Sequence, residues 1–255
     1  MTDSTPQTAQ ADLANEINSR LTRLQAQVAH GGLDEAIELL TRCVRSNGVI
    51  QAFGTGHSEG FSMEVAGRAG GLIPTRRITL REVVLVGGRD REDLFKPELE
   101  RDPTVVEELL AHTEIHPEDV FIIASNSGVN SSIVGMALAL KDRGHQVIAV
   151  TSLEHTQAVQ PKHESGKRLS EIADVVIDNL APFGDATLEL ADGIKVGAVS
   201  SLTAAFIGQA LTVGVVSRMV EAGETPPVFL SANIPGGDEH NRVLQDLYGS
   251  RIRSF

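Results

Sequence analysis

The strongest constraint on this chain is a short crossover between two apolar runs. Residues 120–124 read VFIIA and residues 146–151 read QVIAVT, each the length of a buried strand. Between them, residues 131–143 carry a helical apolar period, and Gly144 closes it. Two strands joined through a helix over so few residues lie parallel and adjacent. A βαβ unit over 119–151 therefore forms the centre of the chain, and the other elements are placed around it.

The period also predicts a helical segment over residues 8–46, broken at Gly31-Gly32. Residues 49–53 are a strand, followed by the loop Gly54-Thr55-Gly56-His57-Ser58 and a helix to about residue 69, with Ser58 placed to cap it. Strands are expected over 72–78, 82–86 and 175–177, and a short helix over 105–111. Residues 87–104 read as a charged surface excursion, and the acidic run at 90–102 as a solvated face. Residues 152–170 read as a polar loop over one end of the sheet, and 195–221 as a long helix. A short helix near residues 241–248 ends the chain. The economical answer is one α/β domain, a doubly wound, mainly parallel five-stranded sheet flanked by helices. Its parts are an N-terminal helical segment (8–46), a core (48–222) and a tail (223–255).

Composition narrows the function classes. The chain has 255 residues with 41% hydrophobic side chains, enough for a sizeable core, and with no Trp and one Tyr that core is aliphatic. A formal charge of −12 argues against nucleic acid or an anionic membrane as partner. Cys43 is the only cysteine, which excludes an internal disulfide and a cysteine-based zinc site. The first residues lack the basic-then-apolar layout of a signal peptide, so a reducing cytoplasm is expected. Residues 196–216 bear no formal charge and are long enough to cross a bilayer. Ser200, Ser201, Thr203, Gln209, Thr212 and three glycines dilute that stretch, so a buried helix that also touches a second subunit is the expectation.

The first core strand of the βαβ unit ends in SNSGVNSS and runs straight into a helix. In a parallel sheet, ligands bind beyond the carboxyl ends of the strands. Free amides and a helix dipole make such a place an anion site. Ser125, Ser127, Ser131 and Ser132 add hydroxyls, and Gly128 allows close backbone approach. The loop holds no lysine and no G-x-x-x-x-G-K-[ST] pattern, so a neutral cradle for a phosphomonoester fits better than a nucleotide-hydrolysing loop. The loop GTGHSEG repeats this geometry after the first strand. Its G-x-G-x-x-x-G spacing, with Arg76 and Arg77 beyond, leaves a nicotinamide dinucleotide as an alternative ligand.

Two strand ends bearing such loops resemble the sugar isomerase (SIS) domain family. GTGHS is similar to its first-strand motif and ASNSGVNSS to its phosphate loop. MEVAGRAGG is similar to the E-x-x-x-R stretch of phosphoheptose-isomerase-like members. HESGKRLSEIADVVIDN and SANIPGGDEHN resemble a bacterial phosphosugar-binding subgroup, and the likeness spans roughly residues 10–250.

The resemblance implies a SIS-type, flavodoxin-like three-layer sandwich and a phosphorylated sugar as ligand. Ser125, Asn126, Ser127 and Ser131 would hold the phosphate with Asn130 alongside, and Gly56, His57 and Ser58 would line the sugar. Glu64 matches the family's acid/base glutamate, although Arg68 one turn on also invites a plain ion pair. His240 is the candidate for opening the sugar ring. The reaction implied is aldose–ketose isomerisation through an enediol, with a sensor or a phosphosugar lyase/etherase as alternatives. For an etherase, Glu82 is the candidate second glutamate. Residues 195–221 contain no histidine, where phosphoheptose isomerases carry one, which argues against that particular activity. No cofactor and no metal are expected, and His155, His163 and Lys167 read as loop polar residues. A homodimer or homotetramer with sites near the subunit interface follows from the same resemblance.

Overall fold

In a computed structural model, which describes residues 6–253, the chain opens with helices α1 (Pro6–Ala29) and α2 (Asp34–Arg45). Strand β1 (Ile50–Gly54) leads through a 3-10 turn into α3 (Glu59–Val65), and β2 (Thr75–Ile78) follows. Helices α4 (Glu82–Leu85) and α5 (Val105–Ala111) precede β3 (Val120–Ala124), α6 (Ser131–Asp142) and β4 (Gln146–Thr151). Then come α7 (Leu153–Ala158), β5 (Val175–Asp178), a hairpin of β6 (Ala186–Ala191) and β7 (Ile194–Ala198), α8 (Ser200–Glu221) and α9 (Gly237–Gln245).

All strand pairs in the main sheet are parallel, and the spatial order is β2-β1-β3-β4-β5. The chain steps from β1 outward to β2, then crosses back over β1 to β3. The order therefore reverses between β1 and β3, and a crevice opens at the carboxyl ends of these two strands. Side-chain alternation decides which helices cover each face. Ile50, Ala52, Ile122, Ala124, Ile148 and Val150 point to one side, into a core shared with α2, α3 and α8. Phe53, Phe121, Ile123, Val147 and Ala149 point to the other side, against α5 and α6. The three-layer sandwich and the five-stranded parallel sheet are as expected.

Several element assignments need correction. Residues 82–86 form a helical turn rather than a strand, because the Glu82 carboxylate accepts the Thr79 amide at 3.0 Å and the Arg76 guanidinium at 2.5 Å. Helix α3 stops at Val65, where Ala66 is extended and Gly67 lies at φ +74. Ser58 makes no capping hydrogen bond, since the 3-10 turn Gly56–Ser58 feeds α3 directly. Residues 186–198, predicted in part as helix, are the β6–β7 hairpin turning at Asp192-Gly193. Residues 153–158, taken as loop, are α7, whose N-cap Ser152 accepts the His155 amide at 2.9 Å. The last helix begins earlier than expected, at Gly237.

The apolar stretch 196–216 resolves into the end of β7 and most of α8. Thr203, Ala204, Ile207, Leu211, Val215 and Met219 of α8 are buried against the sheet and α2–α3, the position of a core helix.

Candidate functional site

A cleft of about 320 Å³ opens at the carboxyl ends of β1 and β3. Its walls are Thr55, Gly56, His57 and Ser58 after β1, Ser125, Asn126, Ser127 and Asn130 after β3, together with Glu100, His155, Lys162, Gly184 and Asp185. The structure thus brings both predicted loops to one place. Two glycines make the fit possible. A Cβ on Gly54 would lie 2.5 Å from the Ser58 carbonyl oxygen, so the β1 loop folds back on itself only with glycine there. Gly128 takes φ +64, and its amide donates to Ser125 Oγ at 3.1 Å, which closes the β3 loop into a tight turn.

Helix α6 starts where the sequence places it. Asn130 is extended at the N-cap, and its carbonyl accepts the amides of Ile133 and Val134. Among the described residues, the amides of Ser131 and Ser132 meet no protein acceptor; Ser132 is fully buried, so the positive end of the helix dipole is reached at the partly exposed Ser131.

The four serine hydroxyls divide. Ser125 Oγ accepts the Gly128 amide and keeps its own proton to donate, whereas Ser132 Oγ donates inward to the Glu100 carbonyl at 2.5 Å and that residue is fully buried. The Ser132 hydroxyl is therefore a packing group and not a ligand donor, a correction to the sequence reading. Among the described residues Ser127 has no protein partner for its hydroxyl, and Ser131 makes a long contact of 3.4 Å with the Lys162 carbonyl.

The cradle is also not neutral, again in contrast to the expectation. Lys162 Nζ donates to Asn130 Oδ1 at 3.2 Å, and the Asn130 amide donates to Glu100 Oε1 at 3.3 Å. Both charges come from segments remote in sequence. Lys162 lies in the β4–β5 connection, and Glu100 belongs to the excursion that the charge pattern assigned to solvent. The protein's own carboxylate thus stands beside the anion site.

His155 joins the cleft from α7. Its Nδ1 lies 3.3 Å from Asn126 Nδ2, and Asn126 Oδ1 accepts Asn179 Nδ2 at 3.2 Å. Burial holds the His155 imidazole below the usual histidine range, opposed by Asp185 and Glu154 nearby. The sequence favours a polar loop histidine here, with a residue covering the ligand as the alternative. Its neighbours after β4 and β5 are what draw it into the site.

The other predicted residues lie elsewhere. Glu64 is outside the cleft of its own chain: its side chain pairs with Arg68 and accepts Gln209 Nε2 at 2.6 Å. The ion-pair alternative for Glu64 is thus realised. His240 is also outside the cleft of its own chain. The tail packs at the amino-terminal ends of the strands, where Val228 bridges Leu72, Tyr248 packs with Val49 and Ile73, and Arg251 pairs with Asp119. There His240 Nε2 contacts the Val228 carbonyl at 3.0 Å. Glu82 and Arg76 form a buried ion pair, with Arg76 also donating to Thr113 Oγ1 and the Arg253 carbonyl. Arg76 is therefore committed to the fold and does not reach for a nucleotide phosphate. His163 bonds Ser165, the exposed Lys167 stands clear of the cleft, and among the described residues no three His, Cys, Asp or Glu side chains converge as a metal site would require.

The family model for the SIS domain matches residues 13–152, which include both loops of the cleft. A UPF0309 protein of Listeria monocytogenes serovar 1/2a is 38% identical over 94% of this chain and 96% of its own length. A UPF0309 protein of Geobacillus kaustophilus is 37% identical over 86% of both chains. Among solved structures, the phosphoheptose isomerase GmhA of Neisseria gonorrhoeae shares the fold, with a TM-score of 0.54, 17% identity, and coverage of 84% of this chain and all of that one. The parallel sheet, the two loops at its switch point and these matches together make the chain a member of the SIS domain family.

Proposed function

We propose that the cleft binds a phosphorylated sugar and that the protein is a cytoplasmic sugar-phosphate isomerase. The observation that carries the reading is the amino end of α6, where the partly exposed Ser131 has an amide without an acceptor, beside the cleft residues Ser127, Asn130 and the Lys162 ammonium. A phosphate dianion satisfies those donors together. The sugar would then extend along the β1 loop past Gly56, His57 and Ser58. The family's structural neighbours support this reading, since the Neisseria relative is by its name an isomerase of a phosphorylated heptose.

Isomerisation moves a proton between adjacent carbons through an enediol, and the acid/base group must reach the substrate. Within one chain, Glu100 and His57 meet that condition. Glu64 enters this reading only from a second copy of the chain. A homodimer or homotetramer is part of the proposal, supported by the exposed Leu202, Val213 and Val220 on α8.

A thermal-shift panel of pentose, hexose and heptose phosphates, followed by NMR of the bound mixtures, tests the reading. A ligand at a hundred times its Kd adds about 2.7 kcal/mol, enough for a clear rise in Tm. Stabilisation by phosphorylated but not free sugars, with conversion that is lost in Glu100→Gln, is expected. Binding without conversion across the panel makes the protein a sensor. Tight NADP(H) binding with no response to sugar phosphates overturns the ligand class.

A further inference from the structure

Ser200 opens α8, is 3% exposed, and links two polar residues of the cleft wall. Its Oγ donates to Asp185 Oδ2 at 2.6 Å and stands 3.3 Å from His57 Nε2. The other Asp185 oxygen accepts the amides of Val199 at 3.1 Å and Ser200 at 2.8 Å. Asp185 holds this place at φ +69, a left-handed conformation that Asp tolerates better than most residues. The turn at Pro182–Asp185, closed by the Asp185 amide on the Pro182 carbonyl at 2.9 Å, presents its carboxylate to the first turn of α8.

Proton counting then fixes the imidazole. A hydroxyl has one proton, and an ionised carboxylate has none to give. Ser200 spends its proton on Asp185, so toward His57 it can only accept. Nε2 must therefore carry the ring proton, and in the neutral imidazole Nδ1 is left with the lone pair. Among the described residues Nδ1 has no protein partner, and the exposed ring lines the cleft. Ser200 is not a nucleophile in this arrangement, since it is buried and its proton faces a carboxylate.

We propose that Asp185 and Ser200 are positioning residues that hold His57 as the Nε2–H tautomer. His57 then offers Nδ1 to a ligand hydroxyl in the cleft, as its hydrogen-bond acceptor and the seat for its proton. The ligand's identity as a phosphosugar rests on the reading above; the tautomer does not.

Long-range 1H–15N NMR of the full chain at pH 8, with His57 assigned by its loss in His57→Gln, reads the tautomer directly. The wild type is expected to show a pyrrole-like Nε2 and a pyridine-like Nδ1. In Asp185→Asn the side-chain carbonyl keeps the two α8 amides, while the new NH2 donates to Ser200 Oγ. The serine proton then turns to His57, and the two nitrogen shifts should exchange. Ser200→Ala, which leaves the α8 cap intact, should relax the ring to a mixture. A purely structural role for Asp185 would move none of these signals. An Nδ1–H wild type, or a tautomer unchanged in both variants, overturns the proposal. Adding glucose 6-phosphate or fructose 6-phosphate to the wild type separates the two claims. A shift at Nδ1 supports the hydroxyl contact, and its absence with the expected tautomer counts against the phosphosugar reading alone.

Discussion

Gly128→Ala probes the anion loop with its own internal control. The position has φ +64, and an added Cβ would lie 3.1 Å from Thr151 Oγ1 and 3.2 Å from Thr156 Oγ1. Gly166 has almost the same backbone, φ +67, with no atom within 4 Å of its added Cβ. Placing an L-residue in the left-handed region costs about 1–2 kcal/mol. A stiffer unfolded chain offsets ~0.4–1 kcal/mol of that in both variants. Gly166→Ala should therefore lose roughly 1 kcal/mol, or about 2–4 °C in Tm for a chain of this length. Gly128→Ala bears the same backbone cost and must also relieve two tight contacts. The relief available is to open the turn, which gives up the Gly128 amide bond to Ser125 Oγ at 3.1 Å and the Leu169 amide bond to the Gly128 carbonyl at 2.9 Å. At about 1 kcal/mol each, these raise the total to roughly 3 kcal/mol. An opened turn also shifts Ser127 in the cleft wall, so affinity for a stabilising sugar phosphate should fall about tenfold or more. Thermal unfolding and calorimetric titration of both variants provide the comparison. If Gly128→Ala is no less stable than Gly166→Ala and binds like the wild type, the tight turn is not what shapes the site.

Other consequences can be measured independently. Arg76→Leu leaves Glu82, which is fully buried, with only the Thr79 amide, and should cost about 3–5 kcal/mol in urea unfolding. The Arg76→Leu/Glu82→Leu pair should recover most of it, and a single-variant loss under ~1 kcal/mol contradicts the buried-pair account. Because burial depresses His155, the unfolded chain takes up its proton more readily than the folded one. The His155 contribution is thus complete above its ordinary value of 6.5 and is lost as pH falls below it, so His155→Gln should flatten stability against pH in that window. An unchanged slope refutes this. Burial pushes the Cys43 thiol up to about 12, so a thiol reagent should label it only at the rate of global unfolding, and immediate labelling contradicts the packing of α2. Glu100→Gln removes a like charge beside the anion site and should tighten sugar-phosphate binding, whereas Lys162→Gln should weaken it; the opposite signs would displace the phosphate from α6.

The amino-acid sequence by itself determined the βαβ centre to the residue. Val120–Ala124, Gln146–Thr151 and the start of α6 at Ser131 are local facts: an apolar run, a polar break, a helical period and a glycine stop. Parallel pairing then follows from crossover length, and the two loops must share one end of the sheet. The β6–β7 hairpin does carry a local signal: Leu188 and Leu190, then Ile194 and Val196, alternate with charged residues on either side of Asp192-Gly193, a dipeptide that favours a tight hairpin turn. It escaped because its second strand runs directly into the long apolar stretch of α8, which reads as one helix from residue 195. Residues 82–86 escaped because a four-residue apolar run suits either period, and the contacts of the Glu82 carboxylate with the Thr79 amide and the Arg76 guanidinium select the helical one.

The tertiary structure alone decided which charged and titratable groups line the cleft. Glu100, His155, Lys162 and Asp185 come from three different connections, and no spacing rule relates them. Conversely, Glu64 and His240 carry the right chemistry in the right motifs, yet α8 and the tail hold them elsewhere in the chain. Backbone geometry is set by neighbours in sequence, within one turn or one strand. Proton counting and charge at a site depend on side chains a few ångströms apart in space, and the sheet order that brings them together is settled only when both of its faces are packed.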